Sequence, residues 1–524
     1  MKIVLINPTL DWEKKLFKQT VALGICYLGA ILEERGDEVS IIDCRFIDVP
    51  LADAIPLDAD IVGFSSMTFQ FKFSLDVCRE IKQKGFKGKC IFGGPHATAL
   101  PEAVIKSENV DAVLYGESEE SLPLYLEYLE GKIKPENLMR TYIKTATGIV
   151  HGTVDGWIKD LDTLPFPARH LYPLDKMYGN EPKHFGLITS RGCPYECTFC
   201  QPMKKRLFGP KVRRRSIRNI LDELKFLITK YDAVNFAFVD DTFTFNKKYL
   251  FEFCNTKMKE GITMPWGCQT RSNLDLETLE KMRESGCEYF WIGIESGSQA
   301  VLNKMKKETF VAKNKEFLAN CKKVGIASLV NMMVGFPGET EDDLEESIRF
   351  VEETQPDQVL VSQTTPFPGT YIYDNADVMA LDYNNVARHV FEPKFKSMAH
   401  LQNKVIEATQ KMSKVMDAFS INRFDEEEID RWLDSIPLYK KEVFIFGTSV
   451  TAKKIYNRLR ERKIHIKEFI DSFHDGEIDG TPVKRPYKPD GDYLVLISST
   501  VHNDEMKKTL LSLDVDAARV FELN

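Results

Sequence analysis

The sequence predicts an α/β protein made of two large strand–helix repeats and a small third one. Three observations predict it. Apolar strands alternate with amphipathic helices over residues 1–130, six strand–helix units follow over about 186–370, and a βαβ pattern closes the chain from 442. Such alternation implies parallel sheets covered by helices on both faces. The expected parts are a Rossmann-like domain over 1–135, a linker over 136–185, a partial (β/α)6 barrel over 186–375, a helical segment over 376–437 and a small Rossmann-like domain over 438–524.

In the first part, "KIVLI" (2–6), "EVSII" (38–42), "DIVGFSS" (60–66), "KCIFGG" (89–94) and "DAVLYG" (111–116) read as buried strands. The stretches 22–36 and 72–85 read as the helices between them. Ligands of such sheets sit outside the carboxyl ends of the strands. The proline-rich "DLDTLPFPARHLYP" reads as an extended linker. The second series has strands at 186–190, 234–240, 265–270, 289–295, 328–335 and 357–362. Six units are too few to close an eight-stranded barrel, so an open one is expected. Barrel chemistry sits at the carboxyl-end loops.

Bulk composition bounds the function. The chain has 524 residues, 43% hydrophobic and 28% charged, with a net charge of −8. Mild acidity argues against nucleic acid as a partner. No apolar run is long enough to span a bilayer, and the N-terminus lacks the hydrophobic stretch of a signal peptide. A cytoplasmic protein is expected. Its eleven cysteines then point to thiol or metal chemistry, not disulfides.

The first barrel strand leads into "CPYECTFC" (193–200), which holds Cys193, Cys197 and Cys200. Three thiolates can hold three irons of a cubane cluster and leave the fourth open. A three-cysteine zinc site, or cysteines gathered by chance at a turn, are the alternatives.

This loop resembles the CxxxCxΦC motif of radical S-adenosylmethionine (SAM) enzymes, with Phe199 at the aromatic position. The resemblance implies a [4Fe–4S] cluster whose open iron binds SAM. Reductive cleavage of SAM then gives a 5′-deoxyadenosyl radical, which requires a one-electron donor such as flavodoxin or ferredoxin. "GIESGS" (293–298) and "MVGFPGET" (333–340) resemble the family's segments after the fourth and fifth strands. They imply SAM contacts at Glu295, Gly335 and Gly338. A helix-terminal carboxylate and a plain strand–turn–helix are the alternatives there. "FVDDTFT" (238–244) puts Asp240 and Asp241 at the active face, as SAM or substrate ligands or as solvated loop acids. Arg271 would meet the SAM carboxylate if its strand face points inward, and form a surface ion pair otherwise.

The front part carries "GGPHAT" (93–98) and "YGESEESL" (115–122), and resembles the cobalamin-binding domain that precedes many radical SAM enzymes. The resemblance reaches about residue 370. It implies cobalamin contacts at Ser65, Ser66, Thr68, Gly93, Gly94, His96, Gly116 and Glu117. The cobalt-ligating histidine of a DxHxxG motif is missing from "NPTLDWEKK", so cobalamin would bind without a protein imidazole, or the domain would be a relic. Methylthiotransferase-type front domains need three more cluster cysteines. Cys26, Cys44, Cys78 and Cys90 instead fit core positions, as do Cys254, Cys268, Cys287 and Cys321.

"KKRLFGPKVRRRS" (204–216) follows the cluster loop. It reads as a solvated cationic loop, or as an anion site in which Arg213 and Arg215 face the substrate. In the tail, "IFGTSVTAKKI" keeps Gly447 of a dinucleotide fingerprint but has Ser449 and Ala452 at the later glycine positions, with Asp471 after the second strand. Lost glycines crowd the pyrophosphate path. A degenerate docking domain or a site for a nucleotide-linked substrate is expected.

Together the two modules imply a cobalamin-dependent radical SAM enzyme that uses methylcobalamin to methylate an unactivated carbon or phosphorus of a small molecule. A cyclase or other ring-modifying enzyme without net methyl transfer is the second expectation. A non-catalytic cobalamin sensor is the third.

Overall fold

The computed structural model describes residues 1–10, 20–179 and 183–375, and separate segments between 430 and 522. Two compact units divide the chain: Met1–Thr354 with Ser362–Gln402, and Gln355–Val361 with Asn403–Asn524.

The first sheet of the larger unit has seven strands: β1 (Lys2–Asn7), β2 (Glu38–Asp43), β3 (Ile61–Ser65), β4 (Lys89–Gly93), β5 (Ala112–Leu114), β6 (Thr141–Thr145) and β7 (Gly148–His151). Their order is β2-β1-β3-β4-β5-β6-β7. The first five are parallel, and β6 and β7 add an antiparallel edge. Ile3, Val4, Leu5 and Ile6 are all buried, as strands covered on both faces require. The chain turns back between β1 and β3, and the crevice outside their carboxyl ends is the expected ligand position.

The supposed linker is largely folded. Its first part is the β6–β7 hairpin. Its later part is a buried turn in which Ala168 donates its N–H to Cys26 O at 3.0 Å and Arg169 is fully enclosed. Gly29 of the helix Leu23–Arg35 makes this possible, since a Cβ there would stand 2.8 Å from Leu171 Cδ1.

The second sheet is the open barrel. Its strands are β8 (Lys183–Leu187), β11 (Ala233–Phe238), β12 (Trp266–Thr270), β13 (Cys287–Glu295), β14 (Ala327–Val334) and β15 (Gln358–Gln363), in the order β15-β14-β13-β12-β11-β8. Phe238, Phe243, Phe253 and Trp266 fill the space behind β11 and β12, with Phe253 edge-on to Trp266 at 5.4 Å. A short antiparallel ribbon of β9 (Ser190–Arg191) and β10 (Arg213–Arg214) bounds the cysteine loop.

The smaller unit has a sheet ordered β18-β19-β17-β16-β20-β21. Its strands are β16 (Glu442–Phe446), β17 (Ile466–Ile470), β18 (Gly476–Ile478), β19 (Thr481–Lys484), β20 (Tyr493–Ile497) and β21 (Val520–Glu522). Of these, β18, β19 and β21 were not expected. Ala452 lies in the helix Val450–Glu461. Gly447, Ser449, Asp471 and nearly all of the expected helical segment 376–437 lie outside the described residues.

Candidate functional site

The cysteine loop is held by backbone bonds on three sides. Cys200 and Gln201 donate to Cys197 O at 3.0 and 2.8 Å, Thr198 donates to Met305 O at 3.0 Å, and Tyr371 donates to Gln201 O at 2.7 Å. Cys197 is buried, and Cys193 and Cys200 are half-buried. Each thiol has a polar neighbour. Thr242 Oγ1 lies 3.5 Å from Cys193 Sγ. Arg271 Nη1 donates to Cys197 Sγ at 3.5 Å while its guanidinium lies 3.7 Å over the Tyr195 ring. Burial pushes the Cys200 thiol up to about 12, and the Lys204 ammonium opposes that rise.

This donor set fits an anionic polynuclear cluster. Two cations and a hydroxyl face three thiols, and Arg271 Nη2 is buried with no partner among the described residues. No three His, Cys, Asp or Glu side chains among the described residues close on a single metal ion.

The segments after β13 and β14 form the next wall. Glu295 adopts φ +70° and accepts from Lys307 Nζ at 2.7 Å. Gly293 leaves room for this pair, because a Cβ there would stand 2.6 Å from Glu295 Oε1 and 2.8 Å from Lys307 Nζ. The Lys307 ammonium lies 5.8 Å from the Phe199 ring centroid. Gly335 and Gly338 take φ +75° and +78°, and the Cβ position of Gly335 opens on free space. Glu339 was not anticipated. Its Oε2 accepts from Gly335 N at 2.5 Å and Phe336 N at 3.3 Å, which ties the turn shut. Burial raises its pKa to about 7. The local signal was the acid four residues after Gly335.

Four of the expected contact residues, Asp240, Glu117, Arg213 and Arg215, are engaged with protein partners. Asp240 is buried, and its Oδ1 accepts from Thr189 N at 2.9 Å, Thr189 Oγ1 at 3.1 Å, Ser190 Oγ at 2.7 Å and Ser190 N. Oδ1 of Asp240 therefore anchors the end of β8. Arg213 Nη2 donates to Glu117 Oε1 at 2.7 Å, and Arg191 Nη1 donates to the same oxygen at 3.0 Å. Ile158 N also binds Glu117, at 3.2 Å. Glu117 is thus a buried acid that ties the front part to the barrel. Arg215 is enclosed with Glu223, which also pairs with Arg169 Nη1 at 2.7 Å. Arg213 and Arg215 are each matched by a buried carboxylate, as an enclosed guanidinium requires.

The other residues expected to contact cobalamin lie at the front-domain edge. Gly94 takes φ +82°, and a Cβ there would stand 3.0 Å from both Ser65 Oγ and Ser66 N. The missing side chain of Gly94 therefore lets the turn after β4 pack closely on the backbone that ends β3. Ser66 Oγ lies 2.9 Å from Ser74 Oγ. His96 Nδ1 lies 3.3 Å from Thr68 Oγ1, and its ring lies 4.2 Å from that of Phe71. Burial lowers its pKa to about 4, so the imidazole is neutral. Gly116 takes φ +72° over the Trp157 ring. Residues 8–20, which follow β1, include no histidine. At the end of β1, Asn7 Nδ2 and the Tyr172 hydroxyl donate to Asp43 Oδ2, both at 2.8 Å.

The front edge and the cysteine loop meet at the helix Met203–Phe208. It follows the loop directly, and its Arg206 Nη1 reaches Ala99 O at 3.5 Å on the helix Gly94–Ala99. An α/β sheet with Gly93 and Gly94 at the carboxyl end of β4, joined in this way to an open barrel with a three-thiol loop, has the layout of radical SAM enzymes with a B12-binding domain.

Comparison with known proteins agrees. The family model "Radical SAM superfamily" matches residues 187–351, and "B12 binding domain" matches 15–126. The chain is 30% identical over 385 residues to the uncharacterized methyltransferase PH0819 of Pyrococcus horikoshii, covering 72% of this chain and 83% of that protein. It is 27% identical over 418 residues to the cytidylyl-2-hydroxyethylphosphonate methyltransferase of Streptomyces wedmorensis, covering 67% and 77%. It is also 27% identical over 437 residues to the anaerobic magnesium-protoporphyrin IX monomethyl ester cyclase of Cereibacter sphaeroides, covering 78% and 69%. Among solved structures, the methyltransferase TsrM of Kitasatospora setae shares the fold with a TM-score of 0.57 at 16% identity, covering 71% of this chain and 75% of that one. The cobalamin-dependent enzyme OxsB does so with a TM-score of 0.59 at 16% identity, covering 88% and 71%. The chain belongs to the B12-binding radical SAM enzymes, whose cofactors are a [4Fe–4S] cluster, SAM and cobalamin.

Proposed function

We propose that this enzyme is a methyltransferase acting on an unactivated carbon or phosphorus of a small molecule. The observation that carries this is the joining of the front-domain edge to the cysteine loop through the helix Met203–Phe208, which brings the Gly93–Gly94 turn and the three-thiol loop into one unit. Similarity to named methyltransferases supports it.

When bound, the cofactors supply a 5′-deoxyadenosyl radical and a transferable methyl group. The protein binds and orients. In this reading Cys193, Cys197 and Cys200 hold the cluster, Arg271 meets the SAM carboxylate, and Glu295, Phe199, Gly335 and Gly338 receive the rest of SAM. Ser65, Ser66, Thr68, Gly93, Gly94, His96 and Gly116 receive cobalamin. No Ser–His–Asp set is required, because the radical chemistry belongs to the cofactors. A one-electron donor such as flavodoxin or ferredoxin would supply the electron, in the cytoplasm. Among the described residues no helix is long and apolar enough to cross a membrane.

A second reading, a ring-forming enzyme without net methyl transfer, rests on the similarity to the cyclase. Product mass separates the two, since only methylation adds a methyl group and yields S-adenosylhomocysteine.

The test is anaerobic reconstitution with iron, sulfide, hydroxocobalamin and SAM. The wild type is expected to release 5′-deoxyadenosine. Cys197→Ala is expected to release none while still retaining cobalamin. Cleavage of SAM at the wild-type rate by that variant overturns the cluster assignment.

A further inference from the structure

The two adjacent acids after β11 have different fates. Asp240 turns inward to β8, and Asp241 turns to Lys204, with which it forms a close ion pair. Lys204 lies in the helix Met203–Phe208, four residues beyond Cys200. The two side chains keep only 29% and 19% of their exposure, so solvent screens their charges weakly. The pair ties the helix that follows Cys200 to the segment that contacts Cys193. Lys204 acts electrostatically on Cys200 and Cys193. On the other side, Thr242, the next residue after Asp241, touches Cys193 Sγ at 3.5 Å. The third thiol, Cys197, faces Arg271.

We propose that Lys204 and Asp241 are a positioning pair that sets the reduction potential of the cluster held by Cys193, Cys197 and Cys200. This rests on the cluster reading above. Reduction adds one negative charge to a thiolate-ligated centre. A fixed ammonium beside two of the ligands favours the reduced state, and charge near a cluster is one of the factors that set its potential. Asp241 holds the ammonium in place and offsets part of its field. Removing either partner therefore moves the potential in opposite directions. A merely structural pair would not do this, because losing either half would disturb the loop in the same way.

The full-length protein is reconstituted anaerobically without SAM, as wild type, Lys204→Met, Lys204→Arg and Asp241→Asn. Iron and sulfide are counted, and the cluster is titrated by EPR against reductant. Lys204→Met is expected to shift the midpoint to more negative potential, Asp241→Asn to more positive potential, and Lys204→Arg to stay near wild type. Shifts of the same sign, or unchanged midpoints at full iron content, overturn the proposal. If Lys204→Met does not assemble the cluster, the sign of the Asp241→Asn shift against wild type decides alone. A wild type that forms no four-iron chromophore overturns the cluster reading itself, and this inference with it.

Discussion

Asp240 shows what burial does to an acid. Desolvation raises its pKa from 3.8 to about 6, against the four bonds from Thr189 and Ser190 that favour the anion. Its other oxygen, Oδ2, has no partner among the described residues. A carboxyl whose pKa is higher folded than unfolded binds an extra proton in the native state, so its contribution to stability is lost as pH rises from about 4 to about 6. Asp240→Asn keeps an acceptor for the Thr189 and Ser190 donors and removes the titration. The stability difference between wild type and this variant is expected to change by on the order of 2–3 kcal/mol across that window and stay flat above it, as followed by chemical denaturation at a series of pH values. Glu223 behaves oppositely. Burial raises its pKa, but Arg169 and Arg215 outweigh that and hold it below the ordinary carboxylate range. Its contribution is present above the unfolded pKa and is lost as pH falls through the folded one. Glu223→Ala leaves two enclosed guanidinium groups without a counter-charge and is expected to cost about 3–5 kcal/mol in the same assay.

At the level of elements, glycines shape both cofactor edges. Gly94→Ala places a methyl 3.0 Å from Ser65 Oγ and Ser66 N at a φ of +82°. It is expected to lower cobalamin retention on gel filtration by about tenfold, the effect of about 1.4 kcal/mol, while iron content stays at the wild-type level. The elements that were legible in the sequence are those with continuous apolar runs, such as β1 and β13. The β6–β7 hairpin was not, because Gly148, Ile149 and His151 are exposed and carry no apolar periodicity. The ribbon of β9 and β10 is only two residues per strand, too short for any periodic signal. At the site, the cysteines and glycines were legible because their spacing is local. Glu339 was overlooked because its acceptor role shows only once the turn has closed on Gly335 N.

At the scale of the whole larger unit, Glu117 and Glu119 of the front part meet Arg191 and Arg213 of the barrel. All four side chains are largely buried, so salt screens them little. Arg191→Met is expected to loosen the front sheet from the barrel, with trypsin cutting between residues 151 and 183 about tenfold faster or more, and the wild-type rate holding at high salt. The sequence by itself determined the succession of strands and helices along the chain, the open six-unit barrel and the three-thiol loop, because apolar period and cysteine spacing are properties of neighbouring residues. Only the tertiary structure decided which charges are free. The partners of Glu117 lie 74 and 96 residues away in the chain, and an ion pair between such distant residues exists only once two domains have packed and excluded water from it.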